Sequence, residues 1–200
     1  MEAFESFVAV ALESEGFVVS EAVKFPVQLQ TKKAAYEMQT HGYEVDLVAA
    51  RADRLVLATV KSFFGSRGVV AEHVTGEGGN ERWRKLYALL NNPAIRDQVI
   101  AGAAKRYGYG PGQVELRLYV GRFAAPTKGT HEKRIRAWAA EQHAGAGPIK
   151  VQGLSQVVGK VRAAAVQTEY RDNPVLVTIK VLQAAEMLAS DLPDGGSSST

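Results

Sequence analysis

The chain is predicted to fold as an α/β protein with a mixed central sheet flanked by helices. Three apolar, strand-like segments follow one another at residues 17–29, 43–51 and 54–63, and the last two are joined only by a short turn. Two later strands, at 114–123 and 149–152, alternate with helical segments. Strands that alternate with helices need crossover connections, so a parallel portion is added to an antiparallel start. The composition is 46% hydrophobic over 200 residues, enough for one sizeable core or at most two small ones.

Taken in order, residues 2–15 form an amphipathic helix. Phe4, Phe7, Val8, Ala11 and Leu12 make its apolar stripe and Gly16 ends it. Pro26 puts part of the first strand at an edge or bend. Residues 31–40 are polar and read as a loop or a strand extension. The second and third strands meet at Arg51-Ala52-Asp53-Arg54, a hairpin turn. The stretch 65–80 contains five glycines and predicts a mobile loop. A helix over 81–91 carries Trp83, Leu86, Tyr87 and Leu90 on one face. Asn92-Pro93 breaks it, and Pro93 suits the first turn of the next helix, which runs to about Tyr107. The alternation of 114–123 is that of a strand. Helices follow over 129–143, 154–168 and 174–189, the last capped by Asn173. No internal repeat or linker divides the chain before Asp191, so residues 1–190 are read as one domain and 191–200 as a disordered tail.

Composition removes several classes of function. There is no cysteine, hence no disulfide and no thiolate metal site. The four histidines, His41, His73, His131 and His143, do not fall at zinc-ligand spacing. No apolar run reaches a membrane span and no leader pattern opens the chain, so the expected location is cytoplasmic. A net charge of +3 and a pI near 9.1 are compatible with nucleic acid without demanding it.

Chemistry concentrates where Gly42-Tyr43-Glu44-Val45-Asp46-Leu47-Val48-Ala49 is followed by Leu-Val-Leu-Ala-Thr-Val-Lys-Ser at 55–62. An aspartate and a lysine lie within two core strands, where an ionisable group needs a partner or a task. The hairpin can bring Asp46 and Lys61 to one end of the sheet. A carboxylate there can bind a hard cation, while an ammonium positions water and screens a phosphate.

This pair of strands resembles the core of the PD-(D/E)XK nuclease superfamily, and in particular its small resolvase-like members. Those carry a Glu-bearing helix, a Glu-Ile-Asp-Leu strand and a Glu-Val-Lys strand. Upstream, Glu5 precedes Val8, Leu12 and Gly16 at offsets of three, seven and eleven, the offsets of the family's helix. The resemblance spans roughly residues 2–65, about a third of the chain. It implies a restriction-endonuclease-like fold, Mg²⁺ or Mn²⁺ as cofactor, and DNA as substrate. It also implies Asp46, Lys61 and Glu5 as catalytic residues, with Asp46 and Glu5 on the metal. The family's acid two positions before the lysine is replaced by Thr59, a neutral and poor ligand. Glu44, two residues from Asp46 and so expected on the same strand face, is a candidate replacement ligand. Arg82, Arg84 and Lys85 are the candidate contacts to a phosphate backbone.

The expected function is metal-dependent DNA cleavage. One alternative is a decayed site on the same fold that only binds nucleic acid or a protein. Another is an interaction module that forms a homodimer or docks a partner through the C-terminal helices over 154–189.

Overall fold

The computed structural model describes residues 2–30, 38–78, 80–125, 130–166 and 172–188. The predicted tail, and the end of the predicted last helix, lie outside the described residues. In chain order the elements are α1 (Ala3–Ser14), β1 (Val18–Gln30), β2 (Met38–Arg51), β3 (Arg54–Lys61), α2 (Ala71–Thr75), α3 (Glu81–Lys85), α4 (Ala88–Asn91) and α5 (Pro93–Tyr107). A 3₁₀ turn at Pro111–Gln113 leads to β4 (Val114–Val120). Then come α6 (Thr130–Glu141), the small strands β5 (His143–Ala144) and β6 (Gly147–Pro148), β7 (Lys150–Gly153), α7 (Leu154–Val166) and α8 (Pro174–Ala184).

The main sheet has the order β1-β2-β3-β4-β7. β1, β2 and β3 are antiparallel neighbours, and β3, β4 and β7 are parallel. The mixed α/β fold class follows. β3 and β4 are buried along nearly their whole length, as expected for strands covered on both faces. Leu55 and Leu57 join one apolar cluster, with Phe25, Leu89, Val99 and Leu116. Val56, Ala58 and Val60 join the other, with Phe4, Val8, Leu12, Val157 and Val161. Helices α4 and α5 thus cover one face, and α1 and α7 the other.

Two predictions, one of a loop and one of a helix, are revised. The glycine-rich stretch 65–80 contains α2, with Ala71 and Val74 buried. It is tied down by a parallel bridge from Val69 to Phe123 and by the Ala71 N–H donating to His131 Nδ1 at 3.2 Å. The predicted helix over 81–91 is broken into α3 and α4. The Leu89 N–H donates to the Tyr43 hydroxyl of β2 at 3.0 Å, so a side chain from the sheet takes a bond that a continuous helix would keep for itself. Trp83 and Leu86 are left partly exposed, while Tyr87 and Leu90 are buried.

A charged network joins α1, β4 and α7 on the second face. Arg117 is 4% exposed. It bonds Glu15 at 2.7 Å, Glu115 and, at 3.2 Å, the Tyr119 hydroxyl. Lys160 of α7 bonds Glu15 and, at 2.9 Å, Gln152. Glu115 also receives Arg54 at 2.9 Å and Lys150 at 2.6 Å. Burial pushes the Glu15 and Glu115 carboxyls up. Their bonds to Lys160 and Arg117, and to Lys150 and Arg117, outweigh it, and both pKa values lie below the usual range. Burial raises the Tyr119 phenol to about 12 despite Arg117. Depressed carboxyl pKa values contribute stability that is present above the unfolded value near 4.5 and is lost as pH falls through the folded value. Urea midpoints are therefore expected to drop on acidification below that value. Glu15→Gln should flatten the drop; an unchanged acid limb in that variant would show that Glu15 plays no part in it.

Helices α7 and α8 direct Val157, Val161, Ala165, Leu176 and Ile179 inward. Val177 and Val181 of α8 stay at the surface, 40% and 60% exposed. No helix among the described residues is long and apolar enough to cross a membrane.

Candidate functional site

The site begins where β2 leaves β3. Their last paired residues are Leu47 and Ala58. One step beyond, Asp46 Oδ2 accepts from the Val60 N–H at 2.7 Å and from Lys61 Nζ at 3.2 Å. The carboxylate thus serves a backbone donor of β3 at the point where the strand ladder ends. The side chains of Lys61 and Asp46 are 17% and 24% exposed. Both are half-withdrawn from water and still reachable. The sequence pairs these residues through the hairpin, and the structure brings them into direct contact.

Extending the register by one pair would set Thr59 opposite Asp46. Thr59 is 5% exposed and by alternation shares a strand face with Lys61. A longer acid at position 59 would therefore stand beside the pair.

α1 runs alongside this end of the sheet. Glu2 Oε2 accepts from the Ser62 hydroxyl at 2.8 Å, and the Glu2 N–H donates to Glu5 Oε2 at 3.1 Å. Glu5 closes the first helical turn as in a capping box. It also lines a cleft of about 460 Å³ together with Glu2, Lys61, Ser62, Phe64 and Ser66. Phe4 packs edge-on against Phe64, with ring centroids 5.5 Å apart. Gly121 donates to the Lys61 carbonyl at 2.8 Å. A Cβ there would come within 2.6 Å of the Ser62 carbonyl oxygen, so only glycine lets β4 approach the cleft-lining segment this closely. Phe63 has φ +46, a region a bulky side chain seldom occupies.

Glu44 is not on the face of Asp46. It forms an exposed ion pair with Lys24, its register partner on β1, at 3.6 Å. Strand alternation breaks at this point: Val45 belongs to the first apolar cluster and Leu47, two residues on, to the second. Opposite the break, Ala22 of β1 has φ +49. The two-residue period used to place Glu44 assumes a regular strand, and here the strand is irregular.

The cations of α3 do not act as one patch. Lys85 pairs with Glu81 at 3.0 Å. The Arg82 guanidinium lies 5.9 Å from the Trp83 ring centroid. Arg84 lines a different cleft with Ala88, Asn91 and Ile95. Contributions the sequence reading missed are Glu2 and Ser62, whose bond crosses from helix to strand end, and the Phe63–Phe64 wall. Only the position of Ser62, next to Lys61, could have signalled any of them.

Among the described residues no group of three or more His, Cys, Asp or Glu side chains is arranged to hold a metal ion. The fit for Mg²⁺ is narrower than that. This ion commonly takes only one or two carboxylates and completes its shell with water and phosphate. Among the described residues the hydrogen bonds that Asp46 accepts fall on Oδ2. Glu5 and Glu2 supply further acid on the cleft wall.

No protein family and no curated protein matches this chain. One solved structure, the crystal structure of a protein of unknown function, AF1548, is similar over 91% of this chain and 76% of its own, with 14% identity and a TM-score of 0.39. At that score the likeness carries no structural inference.

Proposed function

We propose that this protein is a metal-dependent phosphodiester hydrolase acting on DNA, with a site of the PD-(D/E)XK kind. The observation that carries the reading is the Asp46–Lys61 contact at the end of two core strands, beside a cleft that Lys61 shares with Glu5. Asp46 and Glu5 are the groups that would hold Mg²⁺ or Mn²⁺. When bound, the ion would polarise the scissile phosphate and make a bound water more acidic. Lys61 screens the phosphate charge and orients the attacking water. Its partner Asp46 keeps the ammonium aimed at the cleft. Arg82, beside the Trp83 ring, would meet the phosphate backbone next to the cut. The reading carries with it a cytoplasmic location.

Thr59 and the missing third ligand favour a second reading, a decayed site that binds nucleic acid without cleaving it. The two separate in one assay, with duplex, branched and single-stranded DNA offered in Mg²⁺ or Mn²⁺. A hydrolase cleaves at least one of these and stops when EDTA is added. A decayed site cleaves none and keeps its DNA affinity in EDTA. Thr59→Glu is expected to raise cation affinity about tenfold or more in either case, since an added carboxylate completes a hard-cation site beside Asp46. Calorimetric titration with Mn²⁺ reads this directly, and an affinity equal to wild type would count against any metal at this position.

A further inference from the structure

A second pocket, of about 360 Å³, lies against the cleft and shares Phe63 and Ser66 with it. Its far wall is aromatic. The His73 and Trp83 rings stack at 9° with centroids 5.4 Å apart, and Trp83 is 38% exposed. The His73 segment is held in place by its carbonyl, which accepts from Asn91 Nδ2 at 3.0 Å. Cations flank the aromatic pair. Arg67 lines the pocket, and the Arg82 guanidinium lies near the Trp83 ring. Phe63, the wall between pocket and cleft, is the residue held at φ +46.

We propose that this pocket receives one unpaired nucleobase against the His73–Trp83 pair, and that the substrate presents a single-stranded segment to the cleft. The inference rests on the hydrolase or nucleic-acid-binding reading above. An exposed aromatic platform beside arginines is the arrangement that holds single strands: bases stack on the rings and guanidinium groups meet the phosphates between them. A volume of this size suits one small planar group and not a paired duplex. A base inside a duplex is already stacked on its neighbours and is not available to the platform without unpairing. Burial holds the His73 pKa below its ordinary value, ahead of the opposing pull of Glu72. The ring is therefore neutral at pH 7 and stacks as an aromatic surface, leaving phosphate contacts to Arg67 and Arg82.

The test is binding of the full chain in EDTA, so that no cleavage intervenes. The probes are a labelled oligothymidine and a labelled blunt-ended duplex without a loop, read by fluorescence anisotropy. Trp83→Ala is expected to weaken oligothymidine binding roughly tenfold or more and duplex binding less than about twofold. Trp83→Phe, which keeps a stacking ring, should restore most of the loss. Equal losses on both probes, or none on oligothymidine, overturn the base pocket and leave the hydrolase reading standing wherever wild type cleaves. Trp83-dependent oligothymidine binding by a chain that never cleaves supports the pocket and removes the hydrolase. Absence of oligothymidine binding overturns the pocket and leaves the hydrolase reading to the cleavage assay.

Discussion

Asp46→Asn is expected to lower Mg²⁺-dependent DNA cleavage roughly 10²- to 10⁴-fold, the several kcal/mol that a metal-stabilised charge contributes. Asparagine is the informative substitution because Asp46 has two tasks. Its Oδ2 accepts the Val60 N–H at 2.7 Å, and an amide oxygen can still do so. Asp46→Ala would lose cleavage too, but would leave that partly buried donor without its partner, at about 1–3 kcal/mol of stability. A falling urea midpoint would then confuse the result. Lys61→Ala leaves the Val60 bond in place. It should abolish cleavage and also weaken DNA binding, with the slope of log affinity against log salt reduced by about 1. Cleavage that survives both EDTA and Asp46→Asn would end the metal mechanism. Full cleavage by Lys61→Ala would remove the lysine from the chemistry.

The largest effect on stability is expected far from the cleft. Arg117→Met should cost about 3 kcal/mol, the lower end for breaking a buried charge pair by deleting one partner. The lower end applies because Glu115 keeps Arg54 and Lys150, and Glu15 keeps Lys160. For a chain of this size that corresponds to a fall in Tm of about 6–12 °C. The arginine also ties the C-terminal end of α1 to β4 through Glu15, while the N-terminal end of the same helix brings Glu2 and Glu5 to the cleft. Loosening one end of α1 should therefore blunt cleavage as well as stability. A shift below about 1 kcal/mol, the value of an ordinary surface pair, would mean that the network is not the fastening it looks to be.

The PD-(D/E)XK likeness depends on short local patterns, and these were legible. The near-continuous apolar run from Leu55 to Val60 and the alternation from Val114 to Val120 mark β3 and β4 as strands. Asn92 and Pro93 open α5, where the Asn92 side chain accepts from Ala94 and Ile95, and Gly108 closes it at φ +76. Asn173 caps α8 in the same way. Each signal involves residues within one helical turn or one strand, whose preferences do not depend on the rest of the fold. Even the Asp46–Lys61 contact follows from a single hairpin, with the two residues only fifteen apart in sequence.

Contacts between distant segments were not legible. A helix stands in the glycine-rich stretch because His131, sixty residues away, accepts from Ala71. The helix over 81–91 breaks because Tyr43, forty-six residues back, accepts from Leu89. Glu44 turns to Lys24 because strand alternation breaks between Val45 and Leu47, and His73 of α2 meets Trp83 of α3. By itself the sequence determined the five strands of the main sheet and most of the long helices, and that an acid and a lysine share a strand end; it did not give α2 or the break between α3 and α4. The tertiary structure decided which acids reach the cleft and which are spent elsewhere. A carboxylate's partner is whichever donor the packed chain brings within about 3 Å, and spacing along a strand predicts that only while the strand stays regular.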